Sequence, residues 1–216
     1  MIEDALLIST QFNFLFVHIP KTAGLSVKTM FRPYAIRPQR TQLRRVLSKL
    51  PVRENPRLMT PPQHATAEWA RRKLGDERYF ALTSFAVVRH PYDRAISYYQ
   101  FISQHGSHHR HEMVKQMSFE DYLDFLAERP RQKRQTQTDF LVDGRGSIIV
   151  SRILRFEALN AGIEALWGEL GLPGRPEVPH RNASARRATE EYLSPKARDL
   201  IFELYREDFV RFGYAR

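Results

Sequence analysis

Phe14-Leu15-Phe16-Val17-His18-Ile19-Pro20-Lys21-Thr22-Ala23-Gly24-Leu25-Ser26 decides the fold. Its first four residues form a continuous apolar run, the pattern of a strand buried on both faces, and the run stops at His18-Ile19-Pro20, where a loop must begin. A helix is expected from about residue 25 to 31. A tight turn from strand to helix aims backbone N–H groups and a helix N-terminus at one point, and that geometry holds phosphate or sulfate. Lys21 adds a positive point charge, while Thr22 and Ser26 add hydroxyl groups. In a Walker A loop, GxxxxGK[ST], the lysine follows the second glycine, whereas Lys21 precedes Gly24, so magnesium-dependent ATP hydrolysis is disfavoured. The plain alternative is an ordinary strand-to-helix turn with a surface lysine.

The same pattern returns at Phe85-Ala86-Val87-Val88, a second buried strand that runs into Arg89-His90-Pro91-Tyr92-Asp93-Arg94-Ala95-Ile96-Ser97 and an amphipathic helical segment over 92–102. Arg89 can make forked hydrogen bonds to a phosphate, and Ser97 lies on the following helix, where its hydroxyl can meet the same group. Arg89 also suits an ion pair with Asp93. Two anion sites at strand ends point to a ligand that is anionic at both ends.

Further elements follow from local signals. A short helix is expected around 42–50, and Thr66 caps a helix that ends at Gly75. Ser118-Phe119-Glu120-Asp121 resembles a capping box for a helix over 119–128. Residues 148–150 and 153–156 read as strands, and 158–170 as a helix closed by Gly171. Ser194 as N-cap, with Pro195 at the first helical position, starts a last helix running to about residue 210. Strands alternating with helices predict a single α/β domain over 1–216, a P-loop-like three-layer α/β/α fold with a mostly parallel central sheet and ligands at the carboxyl ends of its strands.

The composition narrows the partners. The chain has 216 residues, 42% of them hydrophobic, enough for a packed core. It has no cysteine, which excludes disulfides, thiolate zinc sites and a cysteine nucleophile. No apolar run reaches the ~18 residues of a membrane span and no signal peptide is visible, so a soluble, cytoplasmic protein is expected. The net charge of +10 favours an anionic partner. Its basic residues are scattered over 37–45, 71–73, 129–134 and 186–187, which forms no nucleic-acid stripe, and no nucleic-acid motif is present. A solvated basic surface accounts for the charge equally well.

His18-Ile19-Pro20-Lys21-Thr22-Ala23-Gly24 resembles the 5′-phosphosulfate loop of the sulfotransferases that use 3′-phosphoadenosine 5′-phosphosulfate. The stretch from Val87 to Tyr99 resembles their 3′-phosphate motif, in which an arginine and a serine eight residues later share the phosphate. The likeness is to the carbohydrate branch (heparan 2-O-sulfotransferase-like, Golgi-type), in a soluble, bacterial-type form. Gln137-Thr138-Asp139-Phe140-Leu141, Leu154-Arg155-Phe156-Glu157-Ala158-Leu159, Asn182-Ala183-Ser184 and the ending from Asp208 to Tyr214 are similar to that branch in the same order. The resemblance implies that Pro20, Lys21, Thr22, Ala23, Gly24, Leu25 and Ser26 hold the 5′-phosphosulfate and that Arg89 and Ser97 hold the 3′-phosphate. It also implies that the stretch containing Arg181, Asn182 and Ser184 folds over the nucleotide. Leu25 stands where the family usually has threonine, so only its backbone N–H is on offer.

Transfer to a hydroxyl needs a base, and histidine has a suitable pKa. The resemblance favours His64, which stands before the Thr66-capped helix, with Glu68 as a candidate to orient it. A free surface histidine, and a Glu68 that serves only the helix dipole, are the alternatives. Lys21 is expected to stabilise the leaving nucleotide's oxygen as charge builds. No metal is required. The histidines of 105–111 favour a loop near the acceptor over a zinc site, and Trp69 and Trp167 are expected to pack in the core. The expected acceptor is a hydroxylated molecule, an acidic saccharide or glycolipid. A nucleotide kinase and a non-catalytic anion- or nucleic-acid-binding protein are the rival readings.

Overall fold

The computed structural model describes residues 6–37, 46, 48–50, 52–62, 64–131, 135–177 and 190–216. Its strands are β1 (Leu6–Ser9), β2 (Phe14–Val17), β3 (Thr83–Val88) and β4 (Arg152–Arg155). Its α-helices are α1 (Gly24–Phe31), α2 (Ala67–Leu74), α3 (Asp76–Phe80), α4 (Pro91–Gln104), α5 (His111–Val114), α6 (Phe119–Ala127), α7 (Leu159–Glu169) and α8 (Pro195–Phe212). The result is the expected α/β architecture, a four-stranded, mostly parallel sheet in the order β1-β2-β3-β4, flanked by helices.

Strands β2, β3 and β4 run parallel, with Val17 opposite Ala86 and Val88 opposite Arg155. Their carboxyl ends therefore share one edge, from which β2 runs out into the Lys21 loop. Phe14, Phe16, Phe85 and Val87 pack against Val27, Met30 and Phe31 of α1 and Ile163, Leu166 and Trp167 of α7. Leu15, Val17, Ala86 and Val88, which alternate with them, are just as buried. Burial on both faces is why these strands read as unbroken apolar runs. Removing one of the phenylalanine rings would cost about 3–5 kcal/mol.

The chain forms two compact units. The first contains the sheet and comprises Met1–Val88 and Gln137–Pro179; the second comprises Arg89–Thr136 and His180–Arg216. In the second, α4, α6 and α8 share a core built on Tyr92, Ile96, Tyr122, Leu123, Ile201 and Phe209. The capping box of α6 forms as expected, with Ser118 Oγ accepting from Asp121 N and the Asp121 carboxylate accepting from Ser118 N. Ser194 caps α8, which runs to Phe212, past the expected end and across a non-helical Tyr205.

Three elements depart from the sequence reading. Strand β1 was not expected; it makes an antiparallel hairpin with β2, closed where Asn13 takes a φ of 49°, a conformation asparagine tolerates. Residues 148–150 are not a strand, since Ile148 makes only a single antiparallel bridge to Val142. Asp143 Oδ1 accepts from Arg145 N and Ser147 N, both at 2.9 Å, in the tight turn between the two bridged residues, and Ile149 N donates to the Leu141 carbonyl beyond it. The short helix α5 occupies the end of what reads as a histidine-rich loop. Most of the helix expected at 42–50 lies outside the described residues.

Candidate anion-binding active site

The β2–α1 turn has unusual backbone geometry. Lys21 and Ala23 have φ of 70° and 66°, with Thr22 between them on the negative side. Left-handed geometry costs a non-glycine residue about 1–2 kcal/mol, and strain of that kind concentrates at functional sites. Alternating φ signs turn successive N–H groups toward one side, forming an anion-binding concavity. Helix α1 begins directly behind it. Its N-cap, Ala23, offers no side-chain hydrogen bond, and its first turn carries no acidic residue. The N–H groups of Gly24, Leu25 and Ser26 have no acceptor within the helix. By contrast, α2, α6 and α8 are closed by the hydroxyls of Thr66, Ser118 and Ser194. No side chain of the N-cap or acidic residue of the first turn therefore offsets the positive end of α1.

Thr22 is buried, and its Oγ1 donates to the Ile19 carbonyl at 2.9 Å. Its hydroxyl hydrogen therefore braces the turn. Leu25 is exposed and Ser26 half-buried at the start of α1. Pro20 and Lys21 are half-buried in the turn itself.

Two residues here escaped the sequence reading. The imidazole of His18 lies so close to Gly24 that a Cβ there would be 1.9 Å from its Cδ2 and Nε2. Burial, reinforced by the charges of Lys28, His64 and Lys21, lowers the His18 pKa from 6.5 to about 3. The ring is neutral at any ordinary pH. Lys28 is only 2% exposed, an uncommon state for lysine, and stands one helical turn after Gly24. That i, i+4 spacing was a readable signal for Lys28; nothing in the sequence marked His18 beyond its place at the strand end.

His64 is solvent-exposed, and its charge reaches His18, which ties it to the same neighbourhood as the Lys21 loop. Partial burial lowers its pKa, so its neutral, proton-accepting form prevails at neutral pH. Glu68 does not orient it. Its carboxylate is taken by Arg71 Nε at 2.8 Å and Arg72 Nε at 2.8 Å, and the Arg71 hydrogen bond, then Arg72, holds its pKa below the usual range.

In the second unit, half-buried Arg89 precedes α4, and half-buried Ser97 lies within it. Between them, His90 caps α4, its Nδ1 accepting from Tyr92 N at 3.4 Å. The His90 ring packs at 5.6 Å from Phe209 and 5.0 Å from Tyr214. The ending from Asp208 to Tyr214 thus buttresses the start of the Arg89 segment. Arg94 is buried, donating to the Gln135 carbonyl at 3.0 Å.

Arg181, Asn182 and Ser184 lie outside the described residues. Trp167 packs in the core as expected, at 5.3 Å from Phe31, with its Nε1 donating to the Pro173 carbonyl. Trp69 is only half-buried, with Lys73 Nζ 5.8 Å from its ring centroid. Rings from the histidine-rich segment serve local structure. His105 Nδ1 and His111 Nδ1 meet the carbonyls of Phe101 and Ile102, and His108 stacks on His109. Among the described residues no group of three or more His, Asp or Glu side chains is placed to hold a metal ion. None of their helices is long and apolar enough to cross a membrane.

The first unit is thus a mostly parallel α/β sheet whose strand β2 ends in a left-handed turn carrying Lys21 and opening into a helix with no side-chain cap. A model of the sulfotransferase family matches residues 4–215, nearly the whole chain, and the chain belongs to that family. No curated protein and no solved structure matches it. Its family chemistry is sulfuryl transfer.

Proposed function

We propose that this sulfotransferase takes its sulfuryl group from 3′-phosphoadenosine 5′-phosphosulfate and delivers it to a hydroxyl of a saccharide or glycolipid. The observation that carries the reading is the β2–α1 turn, with strained backbone, an uncapped helix end and Lys21 at the point where a 5′-phosphosulfate would sit. Pro20 to Ser26 hold that group, mainly through backbone N–H groups. Arg89 and Ser97 hold the 3′-phosphate, and Arg181, Asn182 and Ser184 cover the nucleotide.

His64 accepts the proton of the acceptor hydroxyl as that oxygen bonds to sulfur and the bond from sulfur to the bridging oxygen breaks. Lys21 stabilises the negative charge that develops on the bridging oxygen, an interaction strongest in the transition state. By analogy with phosphoryl transfer the displacement is in line and loose, so positioning supplies most of the rate. The net charge of +10 suits an acidic acceptor.

Calorimetry with 3′-phosphoadenosine 5′-phosphate, followed by incubation with isotope-labelled donor and a panel of glycans, glycolipids and small alcohols, tests the reading. Binding of the bisphosphate and label on a saccharide or glycolipid are expected. Tight ATP binding without bisphosphate binding would replace this reading with that of a phosphate-transferring kinase.

A further inference from the structure

Gly24 is not in the left-handed region, so backbone freedom does not explain the glycine. The neighbouring ring does. A Cβ at this position would strike the His18 imidazole at Cδ2 and Nε2, each 1.9 Å away, so the ring as placed excludes any larger residue. A helical Cα–Cβ bond leans toward the N-terminus, so the Nε2 edge of His18 fills the space at the N-terminal end of α1. The uncapped N–H groups of Gly24, Leu25 and Ser26 lie at that same end. Neither His18 ring nitrogen has a hydrogen-bond partner among the described residues. Among the described residues the ring is therefore held by shape beside the turn, with no polar contact to either nitrogen.

We propose that His18 is a further anion-binding residue of this site, a neutral imidazole whose ring N–H donates to a 5′-sulfate or 5′-phosphate oxygen of the bound nucleotide. The inference rests on the nucleotide reading above and adds a ligand group to it. A neutral imidazole carries one N–H donor and one acceptor, and at a helix N-terminus it serves as a donor to developing negative charge. Burial and the cations around it make His18 a far weaker base than an exposed imidazole, so it does not compete with His64 for the acceptor's proton. Gly24 is then the price of seating an imidazole, not a plain N–H, beside the helix end.

The test compares 3′-phosphoadenosine 5′-phosphate with adenosine 3′-phosphate, which lacks the 5′ anion, by calorimetry on the wild type, His18→Phe and His18→Asn. Phenylalanine keeps a ring over Gly24 and removes the donor; asparagine keeps a neutral N–H donor. A hydrogen bond to a charged group predicts roughly a ten- to hundredfold loss of bisphosphate affinity in His18→Phe. Affinity for adenosine 3′-phosphate should stay unchanged, and His18→Asn should recover part of the loss. A purely structural ring would lower both affinities together, and that result, or undiminished bisphosphate affinity in His18→Phe, overturns the proposal. Should His18→Phe fail to fold, His18→Asn decides, because a loss there as large for the monophosphate as for the bisphosphate also overturns it. A wild type that binds no bisphosphate overturns the nucleotide reading and this inference with it, whereas wild-type binding matched by His18→Phe removes only the role of His18.

Discussion

Lys21 and His64 are given different steps, and their removal should separate. Lys21→Ala is expected to reduce kcat by about 10²–10³-fold, the scale of losing one oxyanion-stabilising group, and to weaken nucleotide binding as well. His64→Ala should lower kcat about 10²–10⁴-fold while leaving the affinity for 3′-phosphoadenosine 5′-phosphate unaltered. Single-turnover transfer alongside calorimetry reads both quantities. An unchanged kcat in His64→Ala would return His64 to the surface and reopen the search for the base. The pH dependence of stability isolates His18. Its pKa is 6.5 when exposed and about 3 when folded, so the unfolded chain takes up a proton that the native state refuses. Stability is complete above pH 6.5 and declines as pH falls toward about 3. His64 and His108, also lowered by burial, add smaller slopes in the same range. The lowered carboxylates, such as Glu68, enter only below their ordinary value of 4.5. Urea midpoints between pH 7 and 5 should therefore fall for the wild type and fall distinctly less for His18→Phe. Parallel curves for the two would show that His18 is not held neutral.

At the level of elements, the contrast between closed and open helix ends makes opposite expectations. Ser118→Ala removes a capping-box hydroxyl from α6 and should cost about 1 kcal/mol of stability without touching nucleotide binding. Ala23→Gly should do the reverse, relieving a φ of 66° at the mouth of α1 and stabilising by a few tenths to about 1 kcal/mol, offset in part by glycine's greater unfolded freedom. Chemical denaturation checks both; a less stable Ala23→Gly variant would mean that the left-handed turn is not strained. These elements also show what could be read without coordinates. Caps at Thr66, Ser118 and Ser194 are local chemistry, and the two parallel strands are apolar runs, so both were legible. Strand β1 was not, because its apolar run is only Leu6-Leu7-Ile8, and its pairing depends on a hairpin turn that a lone Asn13 signals weakly. Residues 148–150 misled because apolarity alone does not reveal that the segment is bridged only at Ile148, to Val142 across a tight turn. The Lys21 loop was legible as a strand-to-helix motif. The seating of His18 on Gly24 was not, since residues six apart across a turn meet only through tertiary geometry.

Over the whole molecule, 34 lysines and arginines face 24 aspartates and glutamates, so ten positive charges have no acidic counterpart, while several described arginines are paired. Arg71 and Arg72 pair with Glu68, Arg152 with Glu169, Arg198 with Glu190, and Arg131 and Arg211 with Glu207. Exposed pairs of this kind contribute little to stability. What the charge can do is raise the local concentration of small anions, a long-range effect that salt screens over about 8–10 Å. A nucleotide held at two anionic ends should then show itself as ligand-linked stabilisation. At a hundredfold excess over Kd, 3′-phosphoadenosine 5′-phosphate should stabilise the native chain by about 2.7 kcal/mol, or roughly 5–10 °C in Tm for a chain of this size. Adenosine 3′-phosphate and adenosine 5′-phosphate, each with one anchor, should shift Tm less at the same concentration. All three shifts should shrink as salt rises, and the bisphosphate should remain first in rank because its contacts are short-range hydrogen bonds as well as charge. If either monophosphate matched the bisphosphate in Tm shift, one of the two strand-end sites would not be holding the nucleotide.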